Sequence, residues 1–345
     1  MAVAVQQGHG HAAAGSGGRL GALLRPILHL VPNLVETPMR WLQRRVGLRG
    51  MAWVFLAPNL LTFGLFTFFP IILNFAYAAT GGANILLGDR DFVGAENFST
   101  LLSCGNYLDS ATCERDLFWR AIFNTGFFVA LQVTGMVLIS LLTALVLNRE
   151  IRARGFFRSV FFYPVLLSPV VVALIWKWIL QREGVLNAGM IGLGGSPVNW
   201  LLDSDWAFFW IVWVSIWAHL GFYTLILLAG LQAIPKDVYE AAEMDAATPW
   251  RTFSRITLPL LMPNMLVVLV LALIKGVQTF DEVFVLTGGG PGSATMFILQ
   301  FIYETGFAAQ PRLPGLAAAA SILLAVVLMA LTLAQLRLNR GGQNG

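Results

Sequence analysis

Residues 313–336 read LPGLAAAASILLAVVLMALTLAQL, twenty-four positions without one charged side chain. A hydrocarbon core ~30 Å thick needs about 20 such residues in helix, so this stretch is long enough to cross a bilayer. Five more long apolar stretches, poor in charge, lie upstream, at 51–79, 119–147, 156–180, 206–231 and 264–287. Across the 345 residues, 57% are hydrophobic and 12% charged, with a mean hydropathy of +0.72. Ordinary soluble domains carry about 25% charged residues, and a charge-poor chain of this length cannot coat itself for water. The expected fold class is therefore all-α integral membrane, with six core transmembrane helices. Pro58, Pro70, Pro164 and Pro169 fall inside these spans and are read as kinks, because neighbouring helices can satisfy the freed carbonyls.

The basic residues order the spans. Arg40, Arg44, Arg45 and Arg49 lead into the first span, and Arg149, Arg152, Arg154 and Arg158 sit between the second and third. Lys236, Arg251 and Arg255 separate the fourth and fifth, and Arg337 and Arg340 follow the sixth. Arg90, Arg115, Arg120, Lys177, Arg182 and Arg312 fall on the alternate side, so the asymmetry puts both termini in the cytoplasm. A pI near 9.3 could suggest nucleic acid, but basic residues shared out between spans mark orientation, and no nucleic-acid partner is expected. Membrane lipid is the expected solvent. Residues 1–50 form a separate tail, rich in Gly and Ala at its start, with His9 and His11 in a run expected to be disordered. A membrane-surface helix over 20–46 is a further expectation.

The first outer loop is acidic, with Asp89, Asp91, Glu96, Asp109, Glu114 and Asp116, and holds both cysteines, Cys104 and Cys113. Outside the cytoplasm they are either a disulfide or two separate thiols. Chemistry-bearing motifs are few. The four histidines form no metal pair within a span, and neither Gly-x-Ser-x-Gly nor Gly-x-x-x-x-Gly-Lys-Ser/Thr occurs. A polytopic membrane enzyme is the weaker alternative for that reason. An ion-coupled secondary transporter could recruit Asp281 and Glu282, but leaves the polar interruption between the fourth and fifth spans unexplained.

That interruption, 235–259, reads PKDVYEAAEMDAATPWRTFSRITLP. Asp237 suits an N-cap, Glu240-Ala241-Ala242 are helix formers, and Thr248-Pro249 start a second helix. The result is a helical elbow whose apolar face, Val238, Ala241, Ala242 and Met244, is rimmed by charge and suits a partner's groove. Glu240-Ala241-Ala242 and Ile256-Thr257-Leu258-Pro259 stand at the spacings of the EAA signature, and the chain resembles the membrane permeases of binding-protein-dependent ABC importers. The departure is Ala246, where the pattern has Gly; if that Gly supplies a positive φ, Ala246 is expected to use a different turn. Residues 228–235 (LAGLQAIP) after Leu220-Gly221-Phe222, and 279–292 (TFDEVFVLTGGGPG), are similar to the carbohydrate-uptake branch, the maltose and glycerol-phosphate type. The resemblance runs from residue 51 onward and implies a permease domain over 51–340, with a cytoplasmic coupling loop at 235–263.

The resemblance implies a transport subunit of the bacterial inner membrane without its own ATPase site. It binds no cofactor, since ATP and Mg belong to cytoplasmic ATPase subunits docked on Glu240, Ala241, Ala242, Met244, Asp245 and Ala246. The other implied partners are a second homologous permease, an extracytoplasmic solute-binding protein, and a sugar, polyol or glycerol phosphate as cargo. Hydroxyls and amides hold sugars by hydrogen bonds, and aromatic rings lie on their C–H faces. By position relative to the family's motifs, Trp217, Gly221, Tyr223, Thr224, Gln278, Thr279 and Asp281 are the candidates for the substrate path. Trp213 reads as a packing or lipid-facing aromatic and His219 as an interhelical donor. Lys275 neutralises Asp281 or Glu282, or else meets the partner permease. The topology places the 288–292 Gly-rich run as an outer turn, and it is not read as a phosphate cradle, which needs a strand before it and a helix N-terminus after it.

Overall fold

The computed structural model describes residues 18–150 and 152–342, of which 18–38, 40, 336 and 338–342 are described in backbone only. The expectations for His9, His11 and the tail before residue 18 lie outside the described residues. Among these, every regular element is a helix, and strand-like pairing is confined to two isolated bridges. Five helices are long and apolar enough to cross a membrane, and a bent pair makes a sixth. The six-span expectation is met.

The chain divides into two compact units, through Ile72 and from Leu73. In the first, α1 (Gly18–Phe63) is helical except at Gly47, whose φ of 71° splits it. Only glycine adopts that backbone without steric cost, so the helix expected over 20–46 stops there and the span begins anew. An i→i+5 turn at Gly64–Phe68 carries it into α2 (Phe69–Ala78). Trp53, Phe55, Leu61 and Phe66 are exposed on all sides, as on a helix whose solvent is lipid.

The second unit is built on α4 (Asp116–Asn148) and α8 (Ser204–Ala233), with α11 (Leu258–Val277) packed on both. Met136, Leu227, Leu261, Val268 and Ala272 close the core among them. Lipid is as apolar as leucine, so such helices hold together by close packing at small residues. A Cβ on Gly230 would lie 2.5 Å from Asn264 Cγ. The last span, α14 (Pro314–Gly342), packs Leu316 and Ala318–Ala320 in a cluster with Leu101, Phe118 and Phe301, and its Ser321 hydroxyl accepts from Asn74 Nδ2 at 2.9 Å.

Two spans differ from expectation. The third is a broken helix and not a kinked one. The segment α5 (Arg154–Phe162) runs into a tight turn at Tyr163–Leu166, and α6 (Pro169–Leu180) restarts after Ser168. The two arms meet at 102°. Pro169 lacks an N–H and pushes Ser168 out of the helical region, to φ −61° and ψ 139°, so the ladder stops and the chain re-aims. The arm after the break continues into α7 (Val185–Gly192). The fifth span, expected over 264–287, instead extends from Pro249 to Val277 through α10 (Pro249–Thr252) and a turn at Phe253–Thr257. It ends at Val277. A separate short helix, α12 (Asp281–Leu286), then packs against α6, with Asp281 and Glu282 in its first turn, where carboxylates are favoured.

At the end of the bundle opposite α10, a loop carries α3 (Glu96–Leu102) and is held by Arg90. Its guanidinium donates to Thr80 Oγ1 (2.8 Å) and to the carbonyls of Thr80 (2.9 Å), Gly82 (2.9 Å) and Asn84 (2.6 Å), and lies over the Tyr77 ring. Burial draws the Arg90 pKa below its ordinary value, but those acceptors keep the ion in place. Cys104 and Cys113 are joined by a disulfide, which closes the hairpin that Gly105 N–H to Thr112 C=O (3.1 Å) begins. In α13 (Ile298–Tyr303), Ile298 N–H donates to Thr125 Oγ1 of α4 at 2.9 Å.

Candidate functional site

Between the fourth and fifth spans the chain forms α9 (Lys236–Met244), a two-turn helix. Its N-cap is Pro235, with φ −60° and ψ 140°, and not Asp237 as expected. Ile234-Pro235 stops α8 in extended backbone, so α9 starts two residues earlier and Asp237 falls within its first turn. At the other end Ala246 has φ 51°. Alanine here keeps the left-handed turn that was expected to change, and the closing bonds are made regardless: Ala246 N–H to Glu243 C=O at 3.0 Å and Ala247 N–H to Ala242 C=O at 2.9 Å. Thr248 then accepts from Arg251 N–H at 3.4 Å and Pro249 takes the first helical position, as the sequence predicts.

One side of α9 faces its own protein. Val238 and Tyr239 are half-buried, Ala242 is 6% exposed, and the Tyr239 hydroxyl lies 3.2 Å from Thr257 Oγ1. The expected docking face is therefore corrected: Ala242 packs inward and is closed to a partner, and Val238 is partly covered. Glu240, Ala241, Met244, Asp245 and Ala246 remain outward, with Met244 84% exposed, and Trp250 on α10 is exposed as well. A long apolar side chain and a carboxylate on one short, well-anchored helix are suited to filling a socket on another protein.

The seven substrate-path candidates fall into different surroundings. Trp217 is half-buried and edge-on to Trp176 at 5.6 Å, which in turn meets Trp210 at 5.7 Å. Gly221 is pressed on backbone, since a Cβ there would lie 2.3 Å from the Phe161 carbonyl oxygen and 2.7 Å from Phe162 Cα. It is a crossing point between α8 and α5, not a wall of open space. Tyr223 is buried with Met136 and Leu227 in the core. Thr224 is buried with its hydroxyl unpartnered, and Thr279 is buried with its hydroxyl bonded back to Lys275 C=O at 3.1 Å. Gln278 and Asp281 are exposed at the break between α11 and α12.

The buried ion of this region is Glu282, absent from those candidates. It is 3% exposed, and its Oε1 lies 3.8 Å from His219 Nε2 and 4.0 Å from Lys275 Nζ, joining α8, α11 and α12. Neither carboxylate oxygen has a hydrogen-bond partner. Gln132, fully buried at mid-span in α4 with both amide atoms unpartnered, was also missed. An amide at the centre of the apolar run 119–147, well inside Asn124 near its start, was the signal available. For Glu282 the sequence held no such signal, because Asp281 and Glu282 are adjacent carboxylates and only the start of α12 decides which is buried. Among the described residues no group of His, Cys, Asp and Glu is placed to hold a metal.

Taken together these features define a multi-pass helical membrane protein with an exposed, capped helix slung between two spans. Residues 136–341 match the model of the family described as "Binding-protein-dependent transport system inner membrane component", and the chain belongs to that family. It is 34% identical over 312 residues to the trehalose/maltose transport system permease protein MalF of Thermococcus litoralis, covering 89% of this chain and 98% of that one. Among solved structures it resembles a bacterial ABC transporter that imports the acidic polysaccharide alginate, with TM-score 0.73, 25% identity, and coverage of 87% and 98%. A second structure, the alginate transporter in complex with a periplasmic protein carrying an alginate pentasaccharide, gives TM-score 0.70, 25% identity, and coverage of 85% and 95%. The chain is thus an inner-membrane permease component of a binding-protein-dependent ABC importer.

Proposed function

We propose that this permease translocates a sugar, or a related polyol or glycerol phosphate, and that α9 is where ATP-driven movement enters it. The observation that carries the reading is α9 itself. It is an exposed helix fixed at one end by Pro235 and at the other by the left-handed Ala246, with Glu240, Ala241 and Met244 turned outward and Tyr239 tied to Thr257. A push on such a helix is transmitted to α8 and α11 with little lost in bending, because both ends are anchored. The sequence has no phosphate-binding loop, so ATP and Mg are assigned to separate cytoplasmic ATPase subunits docked there.

A second permease subunit, homologous to this one, would complete the path. A solute-binding protein would deliver cargo at the Cys104–Cys113 end, and both chain termini would be cytoplasmic. Sugars as the cargo class are supported by the trehalose/maltose and alginate transport of the relatives. Trp217, Tyr223, Thr224, Gln278, Thr279 and Asp281 remain the residues proposed to meet the cargo as the spans rearrange; Gly221 is proposed to set how closely α5 approaches.

Glu240→Lys tests the docking role in the complex assembled with its ATPase and binding protein. The chain should still insert, while substrate-stimulated ATP hydrolysis and uptake are lost. Stimulated hydrolysis equal to wild type would refute the docking role, and ATP-independent uptake by this chain alone would refute the importer reading. A ligand screen on the associated binding protein names the sugar.

A further inference from the structure

Two like charges share a neutral acceptor where α5 meets the end of α8. With its amide oxygen turned toward them, Gln232 accepts from Arg154 Nη2 and from Arg158 Nη2, each at 2.8 Å. The Nε groups of both arginines are buried and unpartnered. Among the described residues no carboxylate is in salt-bridge reach of either. Two guanidiniums held together by one neutral amide repel each other, and the uncompensated charge pair suits a phosphate group. Ala153, the N-cap of α5, makes no side-chain cap, so the helix adds its own partial positive charge to the same place.

The neighbourhood indicates the source of the phosphate. On α5 the side chains Phe156, Phe157, Val160 and Phe161 are exposed, Phe156 by 66%. An apolar flank next to a cation pair, at the entry of a span, matches a lipid whose headgroup and acyl chains must both be met. A soluble anion has no use for that flank. Arg149 and Arg152 stand within five residues of Arg154 and add to the local positive field.

We propose that Arg154, Arg158 and Gln232 form a headgroup site for an anionic phospholipid of the cytoplasmic leaflet. Its cytoplasmic placement rests on the orientation given under the proposed function. Occupancy has a mechanical consequence. Gln232 lies three residues before Pro235, from which α9 hangs, and α5 presses the backbone of Phe161 and Phe162 on Gly221. Bridging the two arginines by a phosphate locks α5 to α8 just above the docking helix, so coupling strengthens when the lipid is present.

The test uses the assembled transporter in nanodiscs of phosphatidylcholine with or without phosphatidylglycerol, reading retained lipid by native mass spectrometry. Wild type should retain phosphatidylglycerol selectively. At roughly fivefold per basic residue, Arg154→Gln with Arg158→Gln should weaken retention about 25-fold. Arg154→Lys with Arg158→Lys should keep most of it, which guards against a folding defect in the glutamine pair. Added inorganic phosphate should not displace the lipid; displacement would make the site one for a soluble anion and overturn the proposal. So would absent selectivity in wild type, or equal retention in the glutamine pair. Loss of the ATPase subunits from the glutamine pair in neutral discs, with lipid retention unchanged, would identify a protein carboxylate as the counter-ion and likewise overturn it. Sided labelling of Arg152→Cys reads orientation separately. Labelling from outside would refute the cytoplasmic placement while leaving the lipid-retention result readable.

Discussion

Gly221→Ala places a methyl where there is no room for it. The added carbon would sit 2.3 Å from the Phe161 carbonyl oxygen, 2.7 Å from Phe162 Cα and 2.9 Å from Phe161 carbonyl carbon, against ordinary contact beginning at 3.4 Å. All three neighbours are backbone, so no side chain can swing away, and α5 with its adjoining turn must retreat by roughly 1 Å, which a close-packed interior resists. Overpacking costs about 1–3 kcal/mol, and a backbone obstacle puts this site at the upper end. Replacing a helical glycine returns up to about 1 kcal/mol. The net expectation is a loss of about 2 kcal/mol, or roughly 4 °C in apparent Tm at about 2 °C per kcal/mol. Gly126→Ala in α4 is the matched control: nothing lies within 4 Å of its added carbon, so only the helical gain of about 0.5–1 kcal/mol is expected. Dye-monitored thermal unfolding of the purified transporter compares the two. An apparent Tm for Gly221→Ala equal to or above that of Gly126→Ala would refute the crossing-point argument. A changed affinity for cargo with unchanged Tm would return Gly221 to the wall of the substrate path.

Ala246→Gly should act in the opposite sense. A left-handed alanine costs about 1–2 kcal/mol and the extra freedom of unfolded glycine takes back about 0.4–1, so a net gain of roughly 0.5–1 kcal/mol is expected; a fall in apparent Tm would show that the Ala246 methyl is needed in the turn. Lys275→Met leaves the Glu282 carboxylate buried with its cation removed, at a cost of about 3 kcal/mol. Combining it with Glu282→Gln should recover much of that, and a double-mutant cycle with a coupling below about 0.5 kcal/mol would mean that the two charges do not interact.

The number of spans was legible because a bilayer-crossing helix must be apolar for its whole length, and that is a count along the chain. Direction was not. A hydropathy window over 156–180 cannot tell a straight span from two arms at 102°, and Pro164 and Pro169, the residues that make the break, read equally well as kinks. The same blindness carried the fifth span past Val277, because Val283 to Leu286 are apolar too, although they belong to a separate helix. The start of α10 was readable from Thr248 and Pro249, while the cap, the closing turn and the rotation of α9 were not. Ala241 and Ala242 are chemically alike, and only the packing of Tyr239 decides which of them faces inward. Asp281 and Glu282 pose the same problem, since the acid that points inward depends on where α12 begins.

The Arg90 hub has an electrostatic side effect. By directing its one charge inward, it leaves the surface of its loop to Asp89, Asp91, Glu96, Asp109 and Glu114, all exposed, against a single exposed arginine at 115. A protein approaching that end of the bundle meets a negative field before it touches anything. Encounter with a basic surface is accelerated there and slows as ionic strength rises, whereas an acidic one is turned away. The loop therefore sorts visitors by charge at a distance, before shape is consulted.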